Sequence, residues 1–152
     1  MSHSSMSMAT RIETTESILV VASPTSVFDF AVDSSSFARI FKGSGPIPSV
    51  VGARMADDGP VRAGSTRFIE TSDGATLCEE ILALDRPSLH AYRLTSGLRP
   101  PLAWLIRSTE SQWRFEDMAP GTRITWRFGF EPTATIARPL VRVFAEEFFR
   151  AG

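Results

Sequence analysis

From Val50 onward, apolar and polar residues alternate with a period of two in stretches near 49–56, 62–72, 75–85, 88–96, 107–117 and 122–131. That alternation predicts strands with one buried and one wet face. An earlier run, Ile12 to Ala22, brings the number to about seven. Asp58-Gly59, Asp73-Gly74, Arg86-Pro87 and Pro120-Gly121 separate the later runs and predict antiparallel hairpins. The period changes in two places. Ser23-Pro24 offers an N-cap followed by proline at the first helical position, predicting a short helix with Val27, Phe28 and Ala31 on its apolar side. Asp33 to Ser36 break it, and Phe37 to Phe41 predict a second short helix. After Pro132, Ile136, Leu140, Val143 and Phe144 recur at three-and-four spacing, with Arg138, Arg142, Glu146 and Arg150 projecting away from them, predicting a long amphipathic helix. Together these elements predict an α+β fold, a curved antiparallel sheet of about seven strands gripping the C-terminal helix over an apolar cavity.

Turn length sets which residues share a face. With Asp73-Gly74 and Arg86-Pro87 as central pairs of two-residue turns, Glu79 lies opposite Phe68 and Leu94, and Ile81 opposite Thr66 and Tyr92. Glu80 then falls between Arg67 and Arg93. Such a charged ladder is easily held in water and costly when buried, so its face is predicted to be convex and wet. The concave face carries Phe68, Leu77, Glu79, Ile81, His90, Tyr92 and Leu94. Leu82, Leu84 and Leu89 fall on the wet face and require cover. A turn centred on Pro120-Gly121 places Trp113 opposite Phe128 and Phe115 opposite Trp126, with Ile124 and Phe130 beside them and Arg114 and Arg127 turned away. Ser96 to Ala103, with two prolines, predicts a mobile flap.

Composition narrows the function classes. The chain has 152 residues, 43% of them hydrophobic, enough for one domain over 12–152 behind a disordered tail at 1–11. Sixteen basic and 17 acidic residues leave a net charge of -1, which argues against nucleic acid as a partner. All but one of the basic residues are arginine, from which no function follows. A single cysteine, Cys78, excludes an internal disulfide. The short apolar run at Ile18 to Ala22 supports neither a secretory signal nor a membrane span, so stable membrane insertion is not expected and the cytoplasm is the expected compartment. No cofactor fingerprint or metal-ligand spacing is present, and neither group is expected.

Glu79 is the polar residue singled out by its position on the concave face, where burial raises a carboxyl's pKa and fits it for acid, base or anchoring work. Tyr92 is its candidate partner in proton transfer. His90, near a hairpin end, reads as a surface histidine. Cys78 falls on the opposite face and reads as inert. Trp113, Phe115, Trp126 and Phe128 form an aromatic wall able to stack a flat ligand.

Several phrases carry a resemblance: Ala22-Ser23-Pro24-Thr25-Ser26-Val27-Phe28, Ala63-Gly64-Ser65-Thr66-Arg67, Glu79-Glu80-Ile81 through Leu84-Asp85-Arg86-Pro87, and Pro120-Gly121-Thr122-Arg123-Ile124-Thr125-Trp126. In their order and spacing the chain resembles the START-like or SRPBCC superfamily of helix-grip proteins, nearest its polyketide cyclase/dehydrase and lipid-transfer branch. The resemblance implies binding or transport of a small hydrophobic ligand such as a lipid, quinone or polyketide between sheet and last helix. The ligand-binding residues are then Phe68, Glu79, Ile81, Tyr92, Trp113, Trp126, Phe128, Leu140 and Phe144. The competing expectation is an aromatase/cyclase or dehydratase with Glu79 and Tyr92 as catalytic residues. A third is an interaction module, with Leu82, Leu84, Leu89 and Phe149 forming a homodimer surface.

Overall fold

The computed structural model describes residues 11–43, 48–133, 139, 142, 143 and 146. Seven strands form one antiparallel, curved sheet: β1 (Ile12–Val20), β2 (Val50–Met55), β3 (Thr66–Thr71), β4 (Thr76–Asp85), β5 (Leu89–Ser96), β6 (Ile106–Met118) and β7 (Gly121–Pro132), in spatial order β1-β7-β6-β5-β4-β3-β2. Three short helices, α1 (Pro24–Val32), α2 (Phe37–Ile40) and α3 (Leu102–Leu105), accompany it. The predicted long C-terminal helix, including Ile136, Leu140 and Phe144, lies outside the described residues. Val143, placed in its apolar stripe by periodicity, is 61% exposed.

The N-cap signal works as read: the Ser23 hydroxyl accepts from the Ser26 amide at 3.2 Å with Pro24 in the first turn. Helix α1 buries Phe28 edge-on against Phe115 of β6, ring centroids 5.3 Å apart. Asp33 ends it and caps a single 3-10 turn, Ser34–Ser36, by accepting from the Ser35 amide. Helix α2 follows and buries Phe37. Residues 56–65 form a loop rather than a tight Asp58-Gly59 hairpin with an early strand, and an Asp57–Arg62 ion pair at 2.6 Å pins it. Arg11, assigned by sequence to the tail, pairs with Glu13 at 2.9 Å and approaches Glu110 at 3.4 Å.

Three further turns differ from expectation, and their lengths and positions decide what the sheet buries. Between β3 and β4 the bonded pair is Thr71 and Ala75, so the loop is Ser72-Asp73-Gly74, three residues with Gly74 last at φ +87°. Glycine enters that left-handed conformation without steric cost. The extra residue slides β3 by one: Arg67 faces Glu79, Phe68 faces Cys78, and Thr66 faces Glu80. Arg67 therefore points to the inner face and is fully buried, while Phe68 turns to the outer face beneath the Arg54 guanidinium, 4.9 Å from its ring. Only the Glu80–Arg93 half of the expected ladder exists on the outside, at 2.6 Å.

Between β4 and β5 the turn is also three residues, Arg86-Pro87-Ser88, with Asp85 paired to Leu89. A bulge at Leu82 restores the register, so Glu79 meets Leu94 and Ile81 meets Tyr92 as predicted. Leu82 is 38% exposed at that bulge, and Leu84 and Leu89 are part-buried. The last hairpin turns at Ala119-Pro120, pairing Trp113 with Trp126 and Phe115 with Ile124. Gly121 is instead the first residue of β7, where a side chain would run into the Val20 backbone of β1. A slip of two positions keeps the faces, so the aromatic file stays inside and Arg114 and Arg127 stay exposed.

Candidate functional site

The inner face forms two adjoining regions, a packed aromatic corner and an open cavity. In the corner, Trp113 and Trp126 stack with centroids 4.6 Å apart, Phe41 meets Trp126 edge-on, and Phe128 lies against both Trp126 and Phe130. Ile12, Ile106, Phe128, Phe130 and Trp126 are its buried members. Beside it the cavity has a volume of about 130 Å³. Phe37 and Phe41 wall it on the helical side, Ile69, Leu77 and Leu94 on the sheet side, and Phe128 and Phe130 where it meets the corner. Leu98 and Leu102 close it from the 97–105 segment, which was expected only as a flap.

The polar end is built around Arg67. Its Nη2 donates to Glu79 Oε1 at 2.9 Å and its Nε to the same oxygen at 3.3 Å, both side chains being withdrawn from solvent. The guanidinium packs against two neighbouring rings, 4.3 Å from the centroid of Phe37 and 4.8 Å from that of Tyr92. Arginine suits this position because its charge is permanent and weakly hydrated and its faces stack on aromatics. Nη1 is buried without a partner. Glu79 Oε2 accepts no hydrogen bond from any described residue, and Glu79 lines the cavity while Arg67 lies behind it. Burial raises the Glu79 pKa, and the Arg67 charge and hydrogen bonds pull against that rise without cancelling it.

Tyr92 lines the cavity with its ring but has its oxygen engaged: Trp113 Nε1 donates to it at 3.1 Å, and Trp126 Nε1 donates to the neighbouring Ser111 hydroxyl at 3.2 Å. Burial, reinforced by the nearby Glu79 carboxylate and opposed by Arg67 and by hydrogen bonds from Ser111 and Trp113, pushes its pKa up to about 12. His90 is 1% exposed rather than at the surface, stacked at a tilt near Tyr92, and neither ring nitrogen has a well-formed hydrogen bond. Burial and the Arg67 charge push its pKa down to about 4, opposed weakly by the Ala83 backbone. At neutral pH the imidazole is uncharged.

Of the residues singled out by sequence, Glu79, Tyr92 and Phe128 stand at the cavity wall. Ile81, Trp113 and Trp126 pack behind that wall, and Phe68 is corrected to the opposite face by the β3 register. Leu140 and Phe144 lie outside the described residues. Sequence reasoning missed Arg67, whose inward turn follows from the glycine in the third loop position, and Phe37 and Phe41, which carry no signal beyond a short apolar helix. Among the described residues no group of three or more His, Cys, Asp or Glu could hold a metal ion, and no helix is long and apolar enough to cross a membrane.

Comparison with known proteins places this geometry. A family model described as polyketide cyclase / dehydrase and lipid transport matches residues 11–152. Among solved structures, Ara h 8.0201 superposes with a TM-score of 0.66 at 12% identity, covering 93% of this chain and 94% of that one. The di-domain ARO/CYC BexL from the BE-7585A biosynthetic pathway gives 0.67 at 18% identity over 93% of this chain, which spans 47% of that longer protein. Major latex-like protein 151 from Panax ginseng gives 0.62 at 13% identity, covering 93% and 98% of the two chains. At these identities the likeness is one of fold. No curated protein sequence matches significantly.

Proposed function

Because this chain belongs to the polyketide cyclase / dehydrase and lipid transport family, we propose that it binds one small, largely apolar molecule in the cavity between the sheet and the helical side, with Glu79 orienting it. The observation that carries the reading is a buried carboxylate facing a cavity walled mainly by apolar residues such as Phe37, Phe41, Leu77, Leu94, Leu98 and Phe128, with Thr71, Asp73, Tyr92, Arg99 and Thr109 the other polar residues of its lining. A pocket with mostly apolar walls and a few placed polar groups binds by burial and orients by hydrogen bonding. Its volume of about 130 Å³ is on the scale of the roughly 150 Å³ cavity that accepts a benzene ring. The natural ligand is therefore ring-sized, or a longer molecule of which one ring or a short acyl segment enters. Trp113, Trp126 and Ile81 act as the rigid backing of the site rather than as contacts.

Binding is favoured over catalysis because the partner assigned to Glu79 stays protonated and is a poor proton acceptor at neutral pH. Tyr92 receives Trp113 at 3.1 Å and holds its proton up to about pH 12, and His90 stays neutral behind the wall. An aromatase/cyclase or dehydratase would need a second group able to exchange protons in the cavity. The test is fluorescence titration with the neutral probe N-phenyl-1-naphthylamine, alone and after native mass spectrometry of the freshly purified protein. Saturable one-to-one binding that Leu77→Trp abolishes without loss of folding supports the reading. Enhancement that never saturates, or that Leu77→Trp leaves unchanged, refutes it.

A further inference from the structure

We infer that the inner end of the cavity selects a ligand carrying an uncharged hydroxyl, of the phenol, enol or alcohol class, over the corresponding ether or unsubstituted hydrocarbon. The inference rests on the ligand-binding reading above and names the chemistry that reading leaves open. Its basis is the division of labour within one carboxylate. Arg67 donates twice to Glu79 Oε1, at 2.9 and 3.3 Å, from a guanidinium packed against Phe37 and Tyr92. The carboxylate cannot rotate away without leaving a fully buried cation unpaired. Oε2 is left with no donor among the described residues, on a side chain that lines the cavity.

Of the other polar groups in the lining, the Tyr92 oxygen accepts from Trp113, the Thr71 hydroxyl donates to Asp73, and Thr109 stands across Leu94 from Glu79, two strands away. Arg99, the remaining cationic lining residue, is exposed on the 97–101 segment, and its nearest electrostatic partner in the lining is Asp73. At Glu79 itself the open atom, Oε2, is thus an acceptor awaiting a donor. Bonded twice to the permanently charged Arg67, Glu79 serves as the carboxylate of that pair, and a carboxylate accepts hydrogen bonds only, so a ligand must bring the proton. A ligand carbonyl or ether oxygen placed there meets lone pairs with lone pairs, and a ligand carboxylate meets like charge. A hydroxyl donor completes the Glu79 shell with a charge-assisted bond.

The experiment is calorimetric titration of the full chain with 2-naphthol, 2-methoxynaphthalene and naphthalene at neutral pH. Apolar burial alone orders these with the ether and hydrocarbon ahead of the more water-soluble naphthol. The inference reverses that order, with 2-naphthol tighter by roughly tenfold or more, the scale of a hydrogen bond to a charged group. Equal or weaker binding of 2-naphthol overturns the inference and leaves ligand binding standing. Absence of binding by all three overturns the ligand-binding reading itself. Glu79→Gln gives a second readout: its carbonyl takes the place beside Arg67, its amide turns a donor toward the cavity, and the preference moves to the ether. A naphthol preference undiminished in a folded Glu79→Gln protein assigns the selectivity elsewhere and refutes the role given to Oε2.

Discussion

Removing the Glu79 carboxylate should destabilise the protein far more than loss of an ordinary ion pair. The Arg67 side chain is 0% exposed and that of Glu79 9%, so neither water nor salt screens them. In Glu79→Ala the guanidinium keeps its charge, because arginine does not deprotonate, and stays packed against Phe37 and Tyr92. Its Nη1 has no hydrogen-bond partner among the described residues, so Nη2 and Nε join a group already short of acceptors. Breaking a buried pair in this way costs about 3–5 kcal/mol, against about 0–1 kcal/mol for an exposed one. For a chain of this size that lowers Tm by roughly 6–20 °C. The paired replacement Arg67→Met with Glu79→Leu removes both charges and should recover most of the loss, since such pairs are often worth no more than well-packed apolar groups. Urea unfolding of the single and paired variants measures both quantities. A loss below about 1 kcal/mol in Glu79→Ala, or a paired variant no better than the single one, would refute the placement of Arg67 in a dry interior.

His90 gives a pH signature. Unfolded, it takes up a proton below about pH 6.5, whereas the folded imidazole waits until about 4, so its contribution to stability is lost as pH falls from 6.5 to 4, on the order of 3 kcal/mol. The raised Glu79 pKa acts with the opposite sign and is common to both proteins, so the comparison with His90→Phe isolates the histidine; that variant should equal or exceed the natural stability at pH 7 and lose this part of the acid slope in thermal melts. Gly74→Ala forces a side chain into the left-handed loop position at φ +87° and should cost about 1–2 kcal/mol by urea unfolding, with no cost expected if the turn were a different type. Trp113→Phe removes the donor to Tyr92 while keeping the stacked ring, and should lower the Tyr92 stability contribution by about 1 kcal/mol without abolishing probe binding.

The architecture was legible because it follows from short-range rules. Period-two runs, the Ser23-Pro24 cap and the break at Asp33 to Ser36 each have a local cause, and each appears in the expected order, the third strand starting at Thr66 rather than near 62. The site was only half legible because side-chain direction depends on turn length to a single residue. Gly74 read as the second residue of a two-residue turn sends Phe68 inward; as the third of three it sends Arg67 inward. The β4–β5 hairpin shows the same sensitivity in another form, since a longer turn and the Leu82 bulge offset each other and leave Glu79, Ile81, Tyr92 and Leu94 correctly paired. Pro120-Gly121 misled for a different reason: Gly121 answers to the close approach of Val20, a contact 101 positions away in sequence that no local pattern reports. The burial of His90 has the same origin, because its position near a hairpin end says nothing about what packs over that end.

The most direct test of a ligand seated against Glu79 is methyl NMR during titration with 2-naphthol. The account predicts that Ile69, Leu77, Leu94, Leu98, Leu102 and Ile106, which line the cavity, shift along one saturating curve while the exposed Ile18, Leu19 and Leu82 do not. Shifts confined to those surface methyls, or growing without saturation, would contradict it.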